Sequence, residues 1–134
     1  MTAVPFDTTF EAKTITLDEV RSHAQEMFDK GWRFVTQTLL DKGDEFELLY
    51  HYDLENLELK HFRLRVPKTT HIPSISDIYF CALLVENENQ DLFGIVYDGI
   101  VLDFSRTLYL DEAGDPVRAP FCTFSTYTKA QVKE

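Results

Sequence analysis

Leu57-Glu58-Leu59-Lys60-His61-Phe62-Arg63-Leu64-Arg65-Val66 alternates cleanly between apolar and polar side chains. A period of two marks a half-buried strand, because successive side chains leave the backbone on opposite faces. Phe62, Leu64 and Val66 then face a core, while His61, Arg63 and Arg65 face the other way. Pro67 ends this strand, since it fixes φ and lacks an N–H for the ladder. Upstream, Asp53 to Asn56 is a turn after a strand over Glu45 to Tyr52. Asp41-Lys42-Gly43-Asp44 is a second turn, after the Phe-, Val- and Thr-rich stretch Arg33 to Leu40. Three strands joined by short turns predict an antiparallel meander with one wet, basic face and one face covered by a helix.

The covering helices have signatures of their own. Thr16-Leu17-Asp18-Glu19 is a capping box, a hydroxyl with a carboxylate three residues on. Leu17, Val20, Ala24, Met27 and Phe28 recur at helical spacing, and Gly31 follows, which predicts a helix over about 17–30. Ser74-Ile75-Ser76-Asp77 is a second capping signature, opening a helix through about residue 90. Its stripe is Ile75, Ile78, Tyr79, Ala82 and Leu83, with Phe80 and Leu84 apolar elsewhere. Such a helix needs cover on two sides: the sheet on one, the rest of the chain or a partner on the other. Ile95 to Tyr97 and Ile100 to Leu102 flank Asp98-Gly99, a two-residue hairpin signal, and Thr107 to Leu110 suits one more short strand. The expected fold is α+β: an antiparallel-rich mixed sheet with two main helices packed on it in two layers. Residues 1–134 form one domain, with 111–134 an extended tail carrying Phe121, Phe124 and Tyr127.

Charge narrows the function. The 134 residues carry 13 basic and 23 acidic side chains, a formal charge of −10, which disfavours nucleic acid and anionic lipid as partners. Between Lys68 and Arg106 no Lys or Arg occurs, while Asp77, Glu86, Glu88, Asp91, Asp98 and Asp103 do. The longest apolar run, Ile78 to Val85, is far short of the roughly 20 residues of a membrane span. The N-terminus has no signal-peptide pattern. A soluble, cytoplasmic chain is expected, held at any membrane by other subunits.

Cofactor motifs do not emerge. Cys81 and Cys122 form no CxxC, and Cys81, inside an apolar run, reads as a buried inert thiol. Two thiols fall short of the roughly four that an iron–sulfur cluster requires. The four histidines have no metal-ligand spacing; His51 and His61, on neighbouring strands, are placed to approach each other but read as solvated or core-edge residues. The glycines build no GxGxxG or P-loop, and no GxSxG is present. No catalytic, cofactor-binding or metal-binding residue is therefore expected in this chain.

One segment remains odd: Glu86-Asn87-Glu88-Asn89-Gln90-Asp91-Leu92-Phe93-Gly94-Ile95. Its three carboxylates stand at a helix C-terminus, where the macrodipole disfavours each by about 0.3–1 kcal/mol. Either this is a solvated helix end, or the acids meet cations: Arg63 or Arg65 on the sheet, or basic groups of another subunit.

Pro73-Ser74-Ile75-Ser76-Asp77-Ile78, an apolar helix, and then Glu86-x-Glu88-x-x-Asp91-Leu92-Phe93-Gly94-Ile95 resembles the signature of the 30-kDa subunit of respiratory complex I, the NADH dehydrogenase. Over about residues 10–122 the chain is similar to shorter relatives in energy-converting, membrane-bound nickel–iron hydrogenases, closest to the short hydrophilic subunit of the Ech type. Thr16 to Val20, Gly31-x-Arg33-Phe34-Val35-Thr36 and Pro116-Val117-Arg118-Ala119-Pro120 carry that likeness. Two departures favour the short hydrogenase-type subunit. Asn87 stands where the larger family has Arg, and Tyr97 to Phe104 replaces an Arg-rich segment, leaving Arg106 alone.

The resemblance implies a cofactor-free hydrophilic subunit of a membrane-bound oxidoreductase, an energy-converting hydrogenase or NADH:quinone oxidoreductase. Its partners would be a hydrogenase-like or complex I-like large subunit and a small iron–sulfur subunit. Iron–sulfur clusters and a nickel–iron centre or flavin would reside in those partners. Electrons would pass from a soluble donor to protons or quinone. Glu86, Glu88, Asp91, Leu92, Phe93, Gly94 and Ile95 would dock and shape a local fold. Two other readings stay open. One is a free-standing small α+β protein that binds a ligand or self-associates. The other is an independent enzyme using an acid–base pair such as Glu86 with His61, which requires a pocket holding a carboxylate of raised pKa.

Overall fold

The meander forms as the alternation dictates. In the computed structural model, which describes residues 11–109, the three strands are β2 (Arg33–Asp41), β3 (Glu45–Asp53) and β4 (Leu59–Pro67). Leu39 pairs with Leu48 and Leu48 with Leu64, so one face is apolar across all three strands. A short β1 (Lys13–Thr14) runs parallel to β4, giving a mixed sheet of order β1-β4-β3-β2. The register of β2 slips between Phe34 and Thr36, which leaves Val35 exposed. Phe34, Phe46, Leu48, Tyr50, Tyr52, Phe62, Leu64 and Val66 fill the inner face.

Helix α1 (Glu19–Asp29) lays Val20, Ala24 and Met27 on that face, and His23 packs on Phe62 with ring centres 3.9 Å apart. Half of the capping box forms: the Thr16 N–H donates to the Glu19 carboxylate at 2.8 Å. The helix closes with Trp32 N–H donating to Met27 C=O and Gly31 N–H to Phe28 C=O. This closure places Gly31 at φ +82°, a conformation that costs glycine little. Helix α2 (Ala82–Phe93) lies on the same side of the sheet, with Phe93 against Phe46 and Asn89 bonded to Gln37 of β2. The two-layer α+β architecture is as expected.

Four local expectations need correction. The second helix starts at Ala82 rather than near residue 75, because the Ser74 and Ser76 hydroxyls are engaged elsewhere and residues 76–81 form turns. The Asp98-Gly99 hairpin is absent. Instead β6 (Val96–Asp98) pairs in parallel with β5 (His71–Pro73), and residues 100–104 run as a loop. Cys81 is exposed rather than buried. Residues 107–109 form no strand; Leu110, Cys122 and the tail over 111–134 lie outside the described residues.

The outer face of the sheet is less plainly basic than the alternation suggests. Glu47 of β3 is almost buried there and pairs with Arg63 at 2.5 Å, with Lys42 and Arg65 each at 3.5 Å. Leu49 is buried beside it. A β3 carboxylate thus answers the arginines that β4 presents.

Candidate functional site

The Glu86–Ile95 segment is the last two turns of α2 and its exit, and the fold encloses it. Glu86, Asn87, Asn89, Gln90, Asp91 and Ile95 are buried, while Glu88, Leu92, Phe93 and Gly94 are half-buried. Burial of Glu86 and Asp91 overturns the solvated helix end, and Arg63 and Arg65 attend Glu47 rather than these acids. The reason is the short loop before α2 and the one after β6, which supply hydroxyls and unpaired N–H groups.

Glu86 is the centre of the first cluster. Its carboxyl accepts from Ser74 Oγ at 2.6 Å and from the Ile75 N–H at 3.0 Å. Ser74 Oγ in turn accepts from the Ser76 N–H, and Ser76 Oγ accepts from the Val101 N–H, so the chain 74–76 and the loop at 101 are tied to one helix residue. Burial pushes the Glu86 carboxyl up to about 7, against the pull of those two hydrogen bonds. Arg21 of α1 closes the cluster from outside. It donates to the Ser74 carbonyl and, through both terminal nitrogens at 2.7 Å, to Asp77, whose carboxyl it holds below the usual range.

The next residues fix the loop that follows β6. Asn87 Nδ2 donates to the Leu83 and Leu102 carbonyls, both at 2.8 Å, and its Oδ1 accepts the Phe104 N–H at 2.9 Å. Asn89 donates to Gln37 Oε1 and to the Tyr97 hydroxyl, and that hydroxyl donates to the same Gln37 oxygen. Gln90 Oε1 accepts the Tyr97 N–H, and its Nε2 donates to Asp103. One Asp91 oxygen accepts the Tyr109 N–H at 2.7 Å; the other is buried without a partner. Gly94 at φ +72° ends the helix, and Arg106 donates to the Gln90 carbonyl at 2.9 Å. A guanidinium at the C-terminal carbonyls opposes the acids that the helix dipole disfavours.

Sequence reasoning placed the motif but missed what it binds: Ser74, Ser76, Gln37, Tyr97 and Arg21. Gln37 carried a signal, as the lone amide on the inward face of an apolar strand. The Glu86–His61 pair does not form. His61 stands on the outer face next to His51, and Glu86 is sealed with no exposed surface, so its raised pKa serves no pocket. Among the described residues no group of three or more His, Cys, Asp or Glu is placed to hold a metal.

The start of α2 differs sharply from its end. Phe80 is 72% exposed and Leu84 58%, Cys81 between them is exposed, and Phe28 of α1 is 52% exposed. A shallow groove beside them is lined by Phe28, Trp32, Phe34 and Tyr79. Single exposed apolar residues are ordinary, but large ones gathered around a groove mark an interaction surface. No helix among the described residues is long and apolar enough to cross a membrane.

Comparison with known proteins finds a family and solved structures of the same fold. A family model described as the respiratory-chain NADH dehydrogenase, 30 Kd subunit, matches residues 13–126. A chain in the structure of the membrane-bound sulfane sulfur reductase (MBS), an archaeal respiratory membrane complex, has the same fold. Its TM-score is 0.71 at 20% identity, over 96% of this chain and 82% of that one. Curated proteins give no match.

Proposed function

We propose, because this chain belongs to the respiratory-chain NADH dehydrogenase 30 kDa subunit family, that it is a hydrophilic subunit of a membrane-bound, complex I-like oxidoreductase. It carries no cofactor itself and docks beside the catalytic large subunit, near the small iron–sulfur subunit. The clusters and the nickel–iron centre or flavin belong to those partners. It sits at the membrane periphery through them. Among such complexes the energy-converting hydrogenases of the Ech type fit best, because Asn87 and the single Arg106 depart from the larger complex I pattern.

The observation that carries the docking role is the exposed Phe28 of α1, Phe80 just before α2 and Leu84 in its first turn, with Phe28 lining the groove. Aromatic residues such as Phe are enriched in interface cores, where a few anchors carry most of the binding energy. The motif from Glu86 to Ile95 then acts indirectly, by holding α2 and the 97–109 loop in one arrangement. Phe80→Lys and Leu84→Lys should leave the fold intact, by circular dichroism, and reduce co-purification with a hydrogenase-like or complex I-like large subunit by about tenfold or more. Unchanged co-purification in both variants refutes this surface. A concentration-dependent homodimer lost in the same variants would favour self-association instead.

A further inference from the structure

His51 of β3 and His61 of β4 are direct cross-strand partners on the outer face of the sheet, remote from the Glu86 network. Their Nδ1 atoms stand 2.7 Å apart with the rings inclined at 74°. Thr38 of β2 places its hydroxyl 2.9 Å from the other nitrogen of His51, Nε2. When that hydroxyl accepts the Nε2 proton, the His51 lone pair lies on Nδ1 and points at His61. An acceptor on the far nitrogen fixes the ring and tautomer of a metal-ligating histidine, and the Thr38 hydroxyl is placed to serve as one here. Both rings are half-buried, so one side of the pair opens to solvent.

We infer that His51 and His61 form a two-imidazole chelate for a late first-row divalent cation, Cu2+ ahead of Ni2+ and Zn2+, with water in the remaining positions. The metal order follows the Irving–Williams series for nitrogen ligands. Bonds of about 2.0–2.1 Å at angles between square and tetrahedral place two ligand nitrogens about 2.9–3.4 Å apart. The rings therefore part by a few tenths of an ångström, which side-chain torsions absorb without moving the paired strands. In the apo pair one Nδ1 carries the shared proton. On binding, His61 moves that proton to its own Nε2, so both rings ligate as neutral imidazoles and no net proton is lost.

The surroundings permit the charge. Burial and the neighbouring His61 hold His51 below the usual histidine range. Arg63, the nearest cation on the same face of β4, is answered by Glu47 at 2.5 Å. Where His61 borders the cleft between α1 and β4, Lys13, Lys30 and Lys60 are accompanied by Glu11, Glu26 and His23. Protons compete with the metal, so affinity falls as pH drops through the imidazole range.

The test is calorimetric titration of the full chain with Ni2+ and with Zn2+ at pH 7.5. One ion should bind per chain, weakened about tenfold or more by His51→Ala and by His61→Ala. His23→Ala, His71→Ala and Cys81→Ser should leave it unchanged. Should a histidine variant misfold, Cu2+ added to the unaltered chain answers the same question, because it broadens NMR signals nearest its site. Broadening should begin at the amides around 51 and 61. No saturable binding, affinity in the His51 and His61 variants equal to that of the unaltered chain, or broadening centred on His71 or Cys81 overturns the site.

Discussion

At Glu86 a single side chain links burial, pH and loop geometry. Its carboxyl is raised from 4.5 to about 7 in the folded chain, so the fold favours the protonated form. The stability tied to that preference is fully present below about pH 4.5 and is lost as pH rises to 7, about 3 kcal/mol in all. Glu86→Gln cannot ionise, so its stability should fall less than that of the unaltered chain between pH 5 and 8. Urea denaturation of both proteins measures this, and equal slopes would refute the role of Glu86. Glu86→Ala should be worse than either. It leaves the Ile75 N–H without its acceptor in a dry site, at about 1–3 kcal/mol for the unsatisfied group. Asn87 has a different duty, holding the 102–104 loop by two bonds. Asn87→Ala should speed amide exchange at Phe104 while leaving Leu48 in the sheet protected.

Helix α2 shows how far an element can be read from its own residues. The sequence predicts a helix from a capping signature to about residue 90, and the structure keeps the helix but moves it. Its start slips to Ala82 because Ser74 and Ser76 bond to Glu86 and Val101 rather than to their own next turn. Its end reaches Phe93 because Gly94 and Arg106 satisfy carbonyls that three carboxylates cannot. Gly94→Ala should cost about 1–2 kcal/mol, since a Cβ disfavours the left-handed conformation at φ +72°. A thermal melt measures that loss. The hairpin expectation failed for a related reason. The backbone donors at Val101 and Phe104 are taken by Ser76 and Asn87, leaving no ladder for residues 100–102 to join.

For the molecule as a whole, the local acid excess between Lys68 and Arg106 changes meaning. Asp77 pairs with Arg21, Asp98 stands 3.0 Å from His71, and Asp103 accepts from Gln90 and the Ser105 N–H. Glu86 and Asp91 are buried. Most of these acids therefore serve the chain's own fold rather than displaying charge to a partner. What is displayed is apolar, at the opposite end of α2. The contrast predicts two kinds of variant. Phe80→Lys should fold and lose assembly, whereas Asp91→Lys should fail to fold, because it forces an ammonium into a fully buried site. Limited proteolysis of each, beside co-purification, separates the two outcomes.

The sequence by itself determined the meander, helix α1, the two-layer α+β class and the Glu86–Ile95 motif, because these rest on alternation, helical spacing and short turns between neighbours. Tertiary structure decided where α2 begins, that β5 and β6 pair in parallel, and that the motif's acids face inward. Those outcomes depend on Gln37, Ser74, Tyr97 and Arg106 meeting residues up to 60 positions away. A buried polar group takes whichever donor the packing brings to it, and local spacing does not encode that choice.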